Sequence, residues 1–160
     1  MNTNTKKILA IIFWIVLCLT VGALSSVFTS SQIDTWYYLL NKPIFNPPNW
    51  LFAPVWTVLY ILMGISAFLV CASGCTKDNV KKATSLFLFQ LTLNFIWSFV
   101  FFEMHDLWFA FAEIIALILA LIWTILFFYK LSKPAAYLLI PYLAWVVFAS
   151  ILNLSIAILN

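Results

Sequence analysis

The sequence predicts an all-α membrane protein. Its expected architecture is one bundle of five transmembrane helices, with a long Pro- and aromatic-rich loop between helices 1 and 2. Three observations predict it. Five hydrophobic runs, close to Ile8–Phe28, Pro54–Ala72, Ala83–Phe102, Leu107–Tyr129 and Ala135–Leu159, fill most of the 160 residues, and a hydrocarbon core of about 30 Å takes roughly 20 apolar helical residues to cross. Charge is scarce: eight Lys, five acids and no Arg, with a mean hydropathy of +1.09, far above a soluble domain. Third, runs such as Ile114–Ile122 are apolar on every side, whereas a membrane strand alternates over about 10 residues. A helix also satisfies its own backbone in lipid. One bundle accounts for the whole length. The short joints after the second, third and fourth runs make sequential helices antiparallel neighbours.

The first run begins after Lys6-Lys7 and ends near Ala23-Leu24-Ser25. That outline resembles a secretory signal, but the apolar stretch is long for one and its loss would remove a helix, so it is taken as a retained span. Gly22 and Ser26 are spaced for close helix approach. Lysine placement orients the bundle. One side carries Lys6, Lys7, Lys77, Lys81, Lys82, Lys130 and Lys133 against Asp78; the other carries Lys42 with Asp34, Glu103 and Asp106. The positive-inside rule then puts the N-terminus in the cytoplasm and the C-terminus outside a bacterial plasma membrane. The +3 net charge is that of headgroup anchors and calls for no nucleic-acid partner.

The joint over Thr29–Ala53 is unlike the others. It holds Trp36, Tyr37, Tyr38, Phe45, Trp50 and Phe52, which are poor residues to leave in water. Pro43, Pro47 and Pro48 fix φ and remove donors, so Asn41–Asn49 is expected to be extended and stiff. A stiff aromatic segment predicts a lid over one end of the bundle. An aromatic belt resting on headgroups is the plainer alternative.

The remaining spans carry aromatic and amide faces at helical spacing. The second contributes Trp56, Tyr60 and Gly64; the third Gln90, Asn94 and Trp97; the fifth Tyr142, Trp145, Ala149 and Asn153. Amides in hydrocarbon should face inward. Asn94 beside Trp97 is expected in a cavity, while Asn153 serves equally well as a clasp between helices. Trp14, Trp36, Trp50 and Trp108 lie where belt anchoring explains them; Trp97, Trp123 and Trp145 lie deeper. Glu113 is the one acid well inside a span. It either carries protons or cations or, the preferred reading, is neutral and hydrogen-bonded in a structural role. Pro141 removes the bond to the Tyr137 carbonyl and should kink the fifth span just before Trp145.

Enzyme chemistry finds little footing. Cys18, Cys71 and Cys75 make no redox or metal motif, and His105, the sole histidine, sits beside Glu103 and Asp106 in a tight turn. There is no Ser–His–Asp candidate, phosphate loop or metal set, so no metal site and no cofactor are expected. The chain is taken as a binding protein, with any chemistry coming from a guest or from tryptophan.

The motifs carry a specific likeness. Trp36-Tyr37-x4-Lys42-Pro43-x3-Pro47-Pro48, then Pro54-Val55-Trp56-Thr57-x2-Tyr60-x2-Met63-Gly64, Gln90-x3-Asn94-x2-Trp97-Ser98-x2-Phe101-Phe102 and Pro141-Tyr142-x2-Trp145-x2-Phe148-Ala149-x3-Asn153 together resemble the translocator protein/tryptophan-rich sensory protein (TspO/MBR) family. The resemblance implies a five-helix bundle, often a homodimer, that binds porphyrins such as protoporphyrin IX and heme and, in some members, sterols. It implies a cavity lined by Tyr37, Trp56, Asn94, Trp97, Trp145 and Ala149 and capped by a lid bearing Trp36, Pro43, Pro47, Pro48 and Trp50. It further implies a regulatory, sensory or transport role. Some bacterial members are reported to degrade porphyrin in light, which would engage Trp56 and Trp145. Glu113 falls where members often carry an acid. Asn153–Asn160 lacks the Tyr and Arg of the animal cholesterol motif, so specific cholesterol recognition does not carry over.

Overall fold

The computed structural model describes residues 3–160, and all its regular secondary structure is helical. Five helical stretches are long and apolar enough to cross a membrane: Asn4–Gln32, Asn49–Cys71, Lys77–Phe102, Leu107–Leu131 and Lys133–Leu159. They make this a multi-pass integral membrane protein. In element order they are α1 (Thr3–Gln32), the one-turn α2 (Trp36–Leu39), a 3-10 turn (Asn49–Leu51) leading into α3 (Phe52–Cys71), α4 (Lys77–Phe102), α5 (Leu107–Leu131), α6 (Lys133–Leu138) and α7 (Ile140–Leu159).

Helix ends follow local chemistry. Thr76 caps α4 by accepting from the Asn79 N–H, and Asp106 caps α5 by accepting from the Phe109 N–H at 2.9 Å, each satisfying an otherwise orphaned donor. His105 adopts a left-handed φ of 57° in the turn between them. The fifth span is broken rather than smoothly kinked. Leu139 separates α6 from α7, and Pro141 occupies the first turn of α7, where its missing N–H is harmless. The expected disruption is present, moved just upstream of the proline.

The first joint is shorter than Thr29–Ala53. α1 continues through Thr29–Gln32 because its hydroxyls bond back to their own helix, as Ser31 does to the Phe28 carbonyl at 2.9 Å. Residues 40–48 hold no helix or strand; the backbone is extended at Leu40 and Pro48, and a turn at 44–45 is closed by the Asn46 N–H on the Pro43 carbonyl at 3.0 Å.

Neighbour relations depart in one place from simple sequential packing. α4 lies along α5, and α5 along α7, but α3 packs chiefly on α1 and α6, with α1 also against α4. A five-residue joint reaches about 17 Å when extended, further than the 8–10 Å between packed helices, so α1 can sit between α3 and α4. Two glycines set how close it comes. A Cβ on Gly64 would lie 2.6 Å from the Ile15 Cα, so the backbones of α1 and α3 touch there; a Cβ on Gly22 would strike the Tyr60 ring. The larger core cluster lies around Cys18, Met63, Phe87, Leu121 and Phe128, and a second, around Tyr37, Val100, Phe101, Leu152 and Ile156, packs at the other end of the bundle. Trp14 belongs to the larger cluster, edge-on to Phe87 at 5.9 Å, so packing rather than belt anchoring explains it.

Candidate functional site

In the opposite half the helices splay. A cavity of about 480 Å³ lies between α1, α3, α4 and α7, beneath residues 33–51, a size usual for small-molecule sites. Its walls differ. α3, α4 and α7 supply Trp56, Tyr60, Trp97, Phe101, Trp145 and Ala149; α1 supplies Gly22, Ser25, Ser26, Thr29 and Ser30; the mouth is edged by Asp34, Tyr37, Asn49 and Phe52.

The aromatic wall is held by its own contacts. Trp56 stacks on Tyr60 at 5.5 Å and meets Tyr142 edge-on at 6.2 Å. Trp97 stacks on Phe101 at 5.0 Å, and its indole N–H donates to Asn153 Oδ1 at 3.2 Å. Trp145 stands between Phe52 and Phe148, at 6.1 and 5.5 Å. Each indole is half-buried, leaving part of its surface free.

Asn153 takes both sequence-stated roles at once. Besides lining the cavity and holding Trp97, it donates from Nδ2 to the Leu107 carbonyl at 2.9 Å, joining α4, α5 and α7. Asn94 does not line the cavity. It is buried behind Tyr60 and accepts that hydroxyl's proton at 2.5 Å, so it acts on the wall from behind. The expectation for Glu113 needs correction. Its carboxyl is buried, yet neither oxygen has a hydrogen-bond partner among the described residues, and it is absent from the cavity lining. Asn94 Oδ1 accepts from Tyr60, and Asn153 is bonded to Trp97 and Leu107. Gln90 and the Tyr142 hydroxyl are likewise buried without a partner.

The proposed lid residues Trp36, Pro43, Pro47, Pro48 and Trp50 stay out of the lining, while Tyr37, expected in the cavity wall, lines it. Tyr37 is buried, donates to Asn46 Oδ1 at 2.8 Å, and burial pushes its phenol up to about 12, so it is a neutral donor at neutral pH. Trp36 instead stacks on His105 at 4.1 Å and 14°, tying the segment to the α4–α5 turn. Asn41 and Asn160 tie it to the end of α7: the Asn41 N–H donates to Asn160 Oδ1 at 2.9 Å, and Asn160 Nδ2 donates to the Asn41 carbonyl at 3.0 Å. Tyr38, Ile44 and Trp50 are exposed on its outer face. The segment is thus apolar on both sides, towards the bundle and away from it. Trp123 is largely exposed on the outside of α5.

Sequence reasoning missed the α1 wall. Ser25, Ser26, Thr29 and Ser30 recur at helical spacing in the first span, and that spacing was the available signal. It also missed the pairing of Asn41 with Asn160, 119 residues apart.

Comparison with known proteins agrees with the layout. The TspO/MBR family profile matches residues 14–159. The Tryptophan-rich protein TspO of Archaeoglobus fulgidus is 45% identical over 154 residues, covering 96% of this chain and 99% of the relative. The Translocator protein of Ovis aries is 35% identical over 139 residues, 82% of this chain and 79% of the relative. The Tryptophan-rich sensory protein of Cereibacter sphaeroides is 36% identical over 127 residues, 79% of this chain and 78% of the relative. With a profile match across nearly its whole length and full-length relatives at this identity, the chain belongs to the TspO/MBR family.

Proposed function

We propose that this protein binds porphyrin-type tetrapyrroles, protoporphyrin IX and heme among them, and similar flat hydrophobic molecules in the cavity beneath residues 33–51. Its role on this reading is regulatory, sensory or transporting, and it works as a homodimer in a bacterial plasma membrane with a cytoplasmic N-terminus. One observation carries the binding reading: Trp56, Trp97 and Trp145, from three different helices, converge on a single cavity with Tyr60. Such a wall offers flat aromatic area, with a few polar groups to orient a guest. The names of the relatives, sensory and translocator, fit a protein that responds to or moves a small molecule.

A second reading has its own support. Trp56 and Trp145 both line the cavity, so a light-excited porphyrin there would touch two oxidisable indoles, and degradation would follow from the guest's photochemistry. Proton-coupled transport through Glu113 has less support, since Glu113 is not in the cavity lining.

The test is a protoporphyrin IX titration followed by tryptophan quenching, dark and illuminated. Trp145→Phe should weaken dark binding by about 0.5–1.5 kcal/mol and reduce any light-driven loss of porphyrin much more. Trp123→Phe, on the outer surface, should change neither. Equal effects from both substitutions would remove the site assignment.

A further inference from the structure

The charge of the cavity lining is one-sided. Several of its donors are already spent on the protein, while the buried Ser25 hydroxyl and the Trp56 and Trp145 indole N–H groups have no hydrogen-bond partner among the described residues. Tyr60 donates to Asn94, Tyr37 to Asn46 and Trp97 to Asn153. On α1, Ser26 donates to the Ala23 carbonyl at 2.7 Å, Thr29 to the Ser25 carbonyl at 3.4 Å and Ser30 to the Val27 carbonyl at 3.3 Å. A hydroxyl whose proton is committed still has lone pairs to offer, so the α1 wall presents acceptors. The facing wall presents the negative faces of indole and phenol rings, which attract cations and N–H groups. The lining carries one charged residue, Asp34, exposed at the mouth. The cation of this segment, Lys42, sits outside the lining, against the Tyr38 and Leu40 carbonyls at 3.2 Å and over the Tyr37 ring at 4.7 Å.

We propose that the cavity selects guests whose buried part is uncharged or cationic and bears N–H or O–H donors, and that it discriminates against carboxylates. This rests on the tetrapyrrole reading above and refines it. A porphyrin would enter with its pyrrole N–H core among acceptors and ring faces, and its carboxylate side chains would stay at the mouth beside Asp34. An ionised carboxylate drawn inside would lose its water and meet no cation in the lining, which is strongly unfavourable. The polar wall therefore acts as a filter on charge, while the aromatic wall provides contact area.

The experiment compares protoporphyrin IX with its dimethyl ester, which keeps the macrocycle and removes both carboxylates. Affinities are measured by tryptophan quenching in the dark for the wild type, Asp34→Asn and Asp34→Lys. The readout is the ratio of diacid to ester affinity within each protein. Comparing that ratio between variants cancels the different partitioning of the two probes into lipid or detergent. Each unit of charge change at position 34 should move the ratio towards the diacid by about 1.5- to 5-fold, the range of an exposed charge interaction, with Asp34→Lys beyond Asp34→Asn. Raising the salt concentration should compress the series. A ratio indifferent to all three residues, or one that moves towards the ester as the charge at position 34 is removed and reversed, would overturn the charge filter while leaving tetrapyrrole binding in place. Failure of both probes to bind would overturn the tetrapyrrole reading itself, and the refinement with it.

Discussion

At the scale of single residues, the cavity wall depends on groups that never reach the cavity. Tyr60 is held by Asn94 behind it and given room by Gly22 beside it. Tyr60→Phe would keep the ring and its stack on Trp56 but leave the buried Asn94 oxygen unpaired. The expected cost is about 1–3 kcal/mol of stability, read as a lower unfolding temperature in detergent, with porphyrin binding reduced less than by Trp145→Phe. Binding lost without loss of stability would mean that the hydroxyl meets the guest directly. The sequence made the faces of this wall legible: Trp56, Trp97, Trp145 and Ala149 lie in recognisable motifs at helical spacing, and all line the cavity. Depth was not legible. Asn94 lies one turn from Trp97 on the same helix, yet it sits behind a tyrosine contributed by another helix, and only the packing of α3 against its neighbours decides which of the two is in front. Glu113 was obscure for a related reason: nothing in the local sequence signals that its buried carboxyl finds no partner among the described residues.

At the scale of elements, close helix approach positions one side of the site, and the anchored segment over residues 33–51 covers the other. Gly64 lets α3 touch the backbone of α1, where no side chain is available to swing aside. Gly64→Ala should force the helices apart and cost about 1–3 kcal/mol, the usual range for overpacking. In Gly22→Ala the obstacle is the Tyr60 ring, so its main effect should fall on binding. Thermal unfolding and porphyrin titration of the two variants separate the cases; equal stability losses would mean that the α1–α3 contact has no special tightness at Gly64. Residues 33–51 show why the first joint resisted prediction in detail. Pro43, Pro47 and Pro48 pointed to an extended Asn41–Asn49; within that range Pro48 is extended, while residues 44–45 turn and Asn49 opens a 3-10 turn. What anchors the segment was not legible: the Trp36–His105 stack and the Asn41–Asn160 pair join residues with no local pattern. If the segment serves as a lid, replacing Pro47 and Pro48 together by Gly should weaken binding by raising the ordering cost, with helical circular dichroism unchanged. Unchanged affinity with a more mobile segment would make it an aromatic belt only.

At the scale of the whole molecule, charge and cavity divide the bundle along its length. The tightly packed half ends in joints bearing seven lysines against Asp78, while the half containing the cavity ends in joints bearing Asp34, Glu103 and Asp106 against Lys42. Lysine retention on the cytoplasmic side would place the cavity mouth outside the cell, so guests would load from the outer leaflet or the outer aqueous face. This can be tested in intact cells with single cysteines introduced after Cys18, Cys71 and Cys75 are replaced. Asp34→Cys at the cavity mouth and Asp78→Cys in the first turn of α4 are both exposed positions at opposite ends of the bundle. A membrane-impermeant maleimide should label position 34 and leave position 78 shielded until the cells are opened. The labelling should also respond to binding: protoporphyrin IX added outside should slow modification at position 34, because the guest would lie under the mouth, and should leave position 78 unaffected in opened cells. Labelling at position 78 with shielding at position 34 would invert the bundle, and the cavity would then draw its guests from the cytoplasm.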